Sequence, residues 1–69
     1  MSIKEFSSAE HIPEEFKKIG NVSAFGDTVD DVTAKLAVEA EKIGGEAFKV
    51  IGISGNNKLH GNAIVYKKD

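Results

Sequence analysis

The side chains best suited to bind a ligand are concentrated toward the C-terminal end of this 69-residue chain. Residues 42–69 hold five lysines against two acidic residues, whereas residues 1–41 hold four lysines against nine acidic residues. Ammonium groups, an imidazole and amides supply many hydrogen-bond donors, and a turn at 55–57 can aim backbone N–H groups at an anion. The pattern predicts a weak anion-binding surface made by Lys49, Asn57, Lys58, His60 and Lys68. The alternative is that these residues only keep an edge of a sheet soluble and unpaired.

Other kinds of chemistry find little support in the residue types. The chain has no cysteine, which excludes disulfides, thiolate metal sites and cysteine nucleophiles. His11 and His60 lie far apart in the sequence, and neither has a partner at a metal-binding spacing. Asp27, Asp30 and Asp31 are explained by the start of a helix, where the dipole favours anions. We therefore expect no cofactor, no metal ion and no enzymatic activity.

The charge balance and hydropathy narrow the range of partners. A net charge of −2 argues against a nucleic-acid-binding protein, which usually carries a basic excess. The chain has no apolar run near the length that spans a bilayer, so we expect no membrane span. Its first residues, 1–5, lack the apolar region of a signal peptide. Either the protein is cytosolic, or Met1 stands in place of a signal peptide that has been removed.

The clearest element that could position these side chains is a helix over residues 28–43. Asp27 or Thr28 can cap its N-terminus, and the glycine pair at 44–45 can end it in a left-handed conformation. Apolar residues spaced three and four apart form one stripe along this helix: Val29, Val32, Leu36, Ala40 and Ile43. One face of the helix is therefore buried and the other is solvated.

Three strands are predicted around the helix. Alternating apolar and polar residues indicate a strand over 19–25, and two apolar runs at 47–54 and 59–66 form a hairpin. Asn56 and Asn57 suit the centre of a two-residue type I′ turn, because asparagine tolerates a positive φ.

That turn sets the register of the hairpin. It places Phe48 opposite Val65, and Ser54 opposite Leu59, on an apolar face that receives the helix. The opposite face is mixed: it carries Ile51, Ile53, Ile64 and Tyr66 beside Lys49, Lys58, His60, Asn62 and Lys68.

Together these elements predict an α+β fold with a single helix packed on one face of a three-stranded antiparallel sheet, in the chain order β-α-β-β and the strand order 1-3-2. Residues 1–18 form an N-terminal lead-in with a short helical turn after Pro13, and residues 19–69 form the domain. Ile3 and Phe6 of the lead-in should cover the mixed face, which favours a monomer over a homodimer. The predicted core consists of Val22, Ala24, Val29, Val32, Leu36, Ala40, Ile43, Phe48, Val50, Leu59, Ala63 and Val65.

Three stretches, 18–24, 44–50 and 54–67, together resemble the YhcN family of small enterobacterial periplasmic domains, also called BhsA/McbA-like and related to YdgH. The stretch SGNNKLHGNAIVYK at 54–67 carries the most specific match, with Asn62 where the family commonly has threonine. The resemblance implies a periplasmic or cell-envelope domain whose signal peptide has been removed. It also implies a fold similar to that of the envelope sensor RcsF, without the cysteines of that protein, and defines no catalytic residues.

Two functional hypotheses follow from the residues and the resemblance. The first is a non-enzymatic envelope interaction domain linked to stress response, biofilm formation or virulence, with a protein partner in the envelope. The alternative is a protein that binds sulfate, phosphate or a sulfated or otherwise anionic polysaccharide through the C-terminal hairpin. Binding of that second kind should weaken with salt, and it should strengthen in acidic solution as His60 gains a proton.

Overall fold

The computed structural model describes residues 3–6 and 11–68, which form four strands and one helix. In chain order these are β1 (Lys4–Phe6), β2 (Phe16–Gly26), α1 (Val29–Lys42), β3 (Ala47–Ser54) and β4 (Leu59–Lys68). The strands form one mixed sheet in the order β1-β3-β4-β2. Strand β1 runs parallel to β3, whereas β4 is antiparallel to both of its neighbours. The helix packs on one face of this sheet.

The predicted fold, an RcsF-like domain with a three-stranded antiparallel sheet of order 1-3-2, is therefore wrong. The lead-in supplies a fourth strand, β1, whose parallel pairing with β3 makes the sheet mixed. Phe6 drives this pairing, because its side chain is only 1% exposed once β1 is in place. The chain after Pro13 forms a turn, with the Phe16 N–H donating to the Pro13 carbonyl at 3.0 Å, and then enters β2 instead of a helical turn.

The predicted helix is confirmed, together with both of its ends. Thr28 is the N-cap, and its side-chain oxygen accepts a hydrogen bond from the Asp31 N–H at 3.0 Å. At the other end the Gly44 N–H donates to the Glu41 carbonyl at 3.0 Å, and the Gly45 N–H donates to the Ala40 carbonyl at 2.9 Å. This pattern is a Schellman motif, and Gly44 supplies the left-handed residue it needs, with φ of +86°.

The core lies between the helix and the sheet. Val32, Leu36 and Ala40 are fully buried in α1 and contact a cluster of sheet residues that contains Ala24, Phe48, Ala63 and Val65. The helix approaches β4 closely at Gly61, where a Cβ atom would lie 2.5 Å from Cγ1 of Val32. Position 61 must therefore be glycine for the two layers to meet at this distance.

Ten of the twelve predicted core residues are buried or packed against this cluster, and two are not. Val29 is 56% exposed and Ile43 is 47% exposed. Both lie in the terminal turns of the helical segment, where neighbours surround a side chain on fewer sides. Phe6 and Ala47 are buried but were not expected in the core, because both lie on the sheet face opposite the helix.

The hairpin register agrees with the prediction only near the open ends of the strands. Phe48 pairs with Val65 as expected, but the register shifts between Val50 and Gly52. One extra residue, Ile51, forms a bulge there, so Ser54 pairs with His60 and not with Leu59.

The predicted type I′ turn at Asn56 and Asn57 is also wrong. No described residue other than glycine has a positive φ, and the positive φ of this loop is found at Gly55, at +142°. The chain turns through the longer loop 55–58, which absorbs the shift in pairing that the bulge causes.

Truncating Leu36 tests the core. We expect Leu36→Ala to lower the free energy of unfolding by about 2–5 kcal/mol, because it removes a fully buried side chain from the only layer between helix and sheet. Val38→Ala is the matched control, since Val38 lies on the same helix and is 51% exposed; it should change stability by less than about 0.5 kcal/mol. Urea denaturation followed by circular dichroism measures both, and equal effects would contradict the assignment of the buried stripe.

Candidate functional site

The sheet face that points away from the helix has no second layer over it among the described elements, and we call it the open face. Side chains alternate along a strand, and paired residues share a face, so its members follow from the register. The open face consists of Lys4 and Phe6 in β1; Phe16, Lys18, Asn21, Ser23 and Phe25 in β2; Ala47, Lys49, Gly52 and Ser54 in β3; and His60, Asn62, Ile64, Tyr66 and Lys68 in β4.

Charge on the open face is of one sign. Its charged side chains are four lysines, Lys4, Lys18, Lys49 and Lys68, together with the titratable His60, and none of its members is acidic. The acidic side chains within the described residues lie on the helix, at its caps, in loops, and on the other side of β1. The protein therefore has a positive face despite its net charge of −2.

One half of the open face is an aromatic cluster surrounded by the lysines. The Phe6 ring packs edge-on against Phe16, with centroids 5.2 Å apart, and against Tyr66 at 6.4 Å. The Lys4 Nζ lies 5.1 Å from the centroid of the Phe6 ring. Phe6 is almost fully buried and holds β1 in place, whereas Phe16 and Tyr66 are half-buried. Beside this cluster Lys4, Lys18 and Lys68 are exposed, and Lys49 is half-buried.

The other half of the open face is uncharged apart from its histidine. Phe25 and His60 pair across β2 and β4 with ring centroids 4.8 Å apart and planes tilted by 35°, and Phe25 is 56% exposed. Short polar side chains surround the pair: Ser23 beside Phe25, Ser54 opposite His60, and Asn62 next along β4. At Gly52 a Cβ atom would meet nothing within 4 Å, so this half is also unobstructed.

Three of the five predicted anion-binding residues lie on the open face, but they do not converge on one point. Lys49, His60 and Lys68 share this face, yet His60 and Lys68 are eight residues apart on β4, a distance of about 27 Å. Lys68 also has a partner, since its Nζ lies 3.6 Å from Oε1 of Glu15. These residues therefore form a distributed positive surface and not a socket for a single ion.

The other two predicted residues, Asn57 and Lys58, lie in the exposed loop 55–58 and not on the strand face. Lys58 is close enough to the start of the helix to act on Asp31. The pKa of Asp31 is lowered chiefly by a hydrogen bond from the Asp27 N–H at 3.2 Å, then by Lys35 at 3.3 Å, with a smaller contribution from the charge of Lys58. Lys58 therefore contributes to the acidic, helical layer.

Sequence reasoning missed Phe25, Lys4 and Lys18 as members of this surface. The alternation of Asn21, Ser23 and Phe25 along β2 already indicates one solvated strand face, and this was the available signal. What was missing is the pairing of β2 with β4, which brings Phe25 next to His60.

Among residues 3–6 and 11–68, no group of three or more histidine or acidic side chains comes together in a way that could hold a metal ion. Within the same ranges, no helix is long and apolar enough to cross a bilayer.

One helix on a four-stranded mixed sheet with a basic open face defines a small two-layer α+β domain. The chain belongs to the YdgH/BhsA/McbA-like domain family, whose sequence pattern matches residues 16–67. It is 34% identical to the multiple stress resistance protein BhsA of Escherichia coli K12 over 70 aligned residues. This alignment covers 97% of this chain and 82% of BhsA. It is 42% identical over 55 residues to the uncharacterized protein YbiJ of the same strain, covering 78% of this chain and 64% of YbiJ. No solved structure matches the chain.

The electrostatics at the start of the helix predict an acid-sensitive contribution to stability. Because the pKa of Asp31 is lowered in the folded state, its charge stabilises the fold at neutral pH, and this contribution is lost as the pH falls below about 4. We expect Asp31→Asn to lower the unfolding temperature at pH 7 and to have a progressively smaller effect as the pH falls below about 4. Asp30→Asn is the control, because it removes the same charge from the same helical turn. Thermal unfolding of both variants across this pH range is the measurement, and identical pH profiles would contradict the assignment.

Proposed function

We propose that this protein is a non-enzymatic stress-response domain that acts by binding a polyanion on its open face. Membership of the YdgH/BhsA/McbA-like family and the similarity to the multiple stress resistance protein BhsA support the stress-response role. One observation carries the binding role: within residues 3–6 and 11–68 the open face has four lysines and no acidic member, and the carboxylate that approaches Lys68 belongs to Glu15 in the loop before β2. This arrangement produces a positive potential on one side of an acidic protein.

The spacing of the charges favours a polymer over a small ion as the ligand. A sulfate or phosphate ion is held tightly where several donors converge, whereas the lysines of the open face are spread over several strands. A polymer with repeated negative charges can contact several of them at once, so that weak contacts add up. Binding through exposed charges should fall steeply as salt is added.

We place this activity in the cell envelope, on the basis of the family resemblance. A periplasmic location, with the signal peptide removed, would bring the open face next to anionic polymers of the envelope. The narrower assignment to the YhcN family, and roles in biofilm formation and virulence, belong to the same proposal.

A charge placed at position 52 tests the binding surface. The open face has free space at Gly52, so Gly52→Glu should weaken and Gly52→Lys should strengthen binding of inorganic polyphosphate, each by about two- to fivefold at low salt. Val38→Glu and Val38→Lys are matched controls, because they change the net charge equally on the exposed side of the helix. Titrations followed by calorimetry would show the difference, and a lack of saturable binding, or equal effects at positions 52 and 38, would refute the proposal.

The anion-binding proposal made from the hairpin residues can be separated from this one. Asn57 and Lys58 are exposed in the loop and lie off the open face. In a titration with inorganic polyphosphate followed by NMR, the backbone amide signals of Lys49 and His60 should therefore shift if the open face is the site, and that of Lys58 should shift little. Shifts confined to the loop would favour an anion nest at 55–58 instead.

We also propose that the protein is a monomer, and that any protein partner in the envelope binds a surface other than the buried aromatic cluster. Phe6 packs on Phe16 and Tyr66 in the aromatic cluster of the open face and is 1% exposed, so a second subunit is not needed to cover this cluster. Sedimentation velocity at two protein concentrations should give a single species of monomer mass. A stable dimer at the lower concentration would refute this proposal.

A further inference from the structure

The Phe25 ring is the largest apolar group that the open face leaves exposed. It is 56% exposed and lies in the regular part of β2, where it packs on His60 at 4.8 Å between centroids. A cross-strand pair accounts for the contact between the two rings, but it does not require one of them to remain open to solvent. An exposed flat ring on a rigid sheet is therefore available for a ligand.

The surroundings of the ring suit a ligand that has both an apolar side and hydroxyl groups. Ser23, Ser54 and Asn62 supply short hydroxyl and amide groups that donate and accept hydrogen bonds. Gly52 adds no side chain, so nothing from β3 rises over the platform at that position. A sugar ring has this combination: its C–H groups can lie on the negative face of an aromatic ring while its hydroxyl groups reach the polar neighbours.

The charges on the rest of the face decide which sugar polymer fits. Lys49 pairs with Ile64, four residues from His60 along β4, which places it about 14 Å from the ring platform. A neutral glycan would use only the rings, and an inorganic polyanion would use only the lysines. A chain of sugar rings that carry carboxylates can use both halves at once, and its charges complement a face without acidic residues.

Nucleic acid fits this arrangement less well, although it also combines rings with negative charge. Its phosphates are densely spaced, and proteins that bind single strands present several stacking rings along a strongly basic groove. Here Phe25 is the one aromatic ring of the described open face that is exposed by more than half, and the protein has a net charge of −2.

We infer that the Phe25–His60 pair is a stacking platform for a sugar ring of an acidic, uronate-type polysaccharide whose carboxylates are bound by the lysines of the open face. This inference rests on the proposed function and adds the class of polymer. Phe25 contributes the ring and Lys49 the nearest ammonium group of the lysine-rich half.

The test compares two probes and two variants of the full chain. We expect Phe25→Leu, which keeps an apolar side chain but removes the ring, to weaken binding of polygalacturonate by about two- to tenfold and to leave binding of inorganic polyphosphate unchanged. Phe25→Tyr, which keeps the ring, should bind both probes as the parent does. Thermal unfolding of the variants checks that the fold is retained. If Phe25→Leu is destabilised, Phe25→Ile tests the inference instead, because it also lacks the ring and a β-branched side chain suits a strand.

The outcomes separate the inference from the proposal beneath it. If both probes bind and Phe25→Leu has no effect on polygalacturonate, the stacking platform is refuted and polyanion binding stands. If neither probe binds, both are refuted. If a single-stranded oligonucleotide of equal charge binds more tightly than polygalacturonate and depends on the ring at position 25, the choice of a polysaccharide is overturned.

Discussion

The close approach of α1 to the sheet at Gly61 is the contact on which the rest of this structure depends. Val32 and Leu36 fill the layer between α1 and the sheet only because position 61 has no side chain. A domain of this size has a small stability margin, so this layer cannot be loosened without loss of the fold. The C-terminal end of the helix lies beside the same core, where the Schellman motif at Gly44 and Gly45 turns the chain into β3.

A single buried layer leaves the second face of the sheet to be managed in another way. On one half of this face Phe6 packs against Phe16 and Tyr66. This packing stabilises β1, which has three residues and pairs with the start of β3. The other half stays in contact with solvent and carries short polar side chains around Phe25 and His60. One half of the open face thus stabilises the fold, and the other half is available for a ligand.

Charge is separated between the two layers. The helix carries acidic residues whose charges are partly compensated within the layer, as in the pairs of Asp31 with Lys35 and Glu39 with Lys42. On the open face, the ion pair found among the described residues joins Lys68 to Glu15, with 3.6 Å between Nζ and Oε1. Exposed pairs of this type contribute little to stability, so the separation matters mainly for the potential that an approaching ligand meets. A count of charges along the chain finds a basic C-terminal part, but the face of the sheet is the physically relevant unit.

The elements with local signals could be read from the sequence alone. The helix is determined by interactions within a few residues: the Thr28 cap, the apolar stripe through Leu36 and the glycine pair after Ile43. The two strands of the hairpin are determined by the apolar runs on either side of the loop. Tertiary structure decided what depends on distant partners. Residues 4–6 are too few to show a periodic pattern, so the sequence carries no local signal for β1. This strand forms because Phe6 is buried against the folded sheet. The bulge at Ile51 turns Ile53 toward the helix and Gly52 toward the open face, since one extra residue exchanges the two faces of a strand. The pairing of Phe25 with His60 likewise needed the register between β2 and β4, because residues 35 positions apart meet only through the assembled sheet.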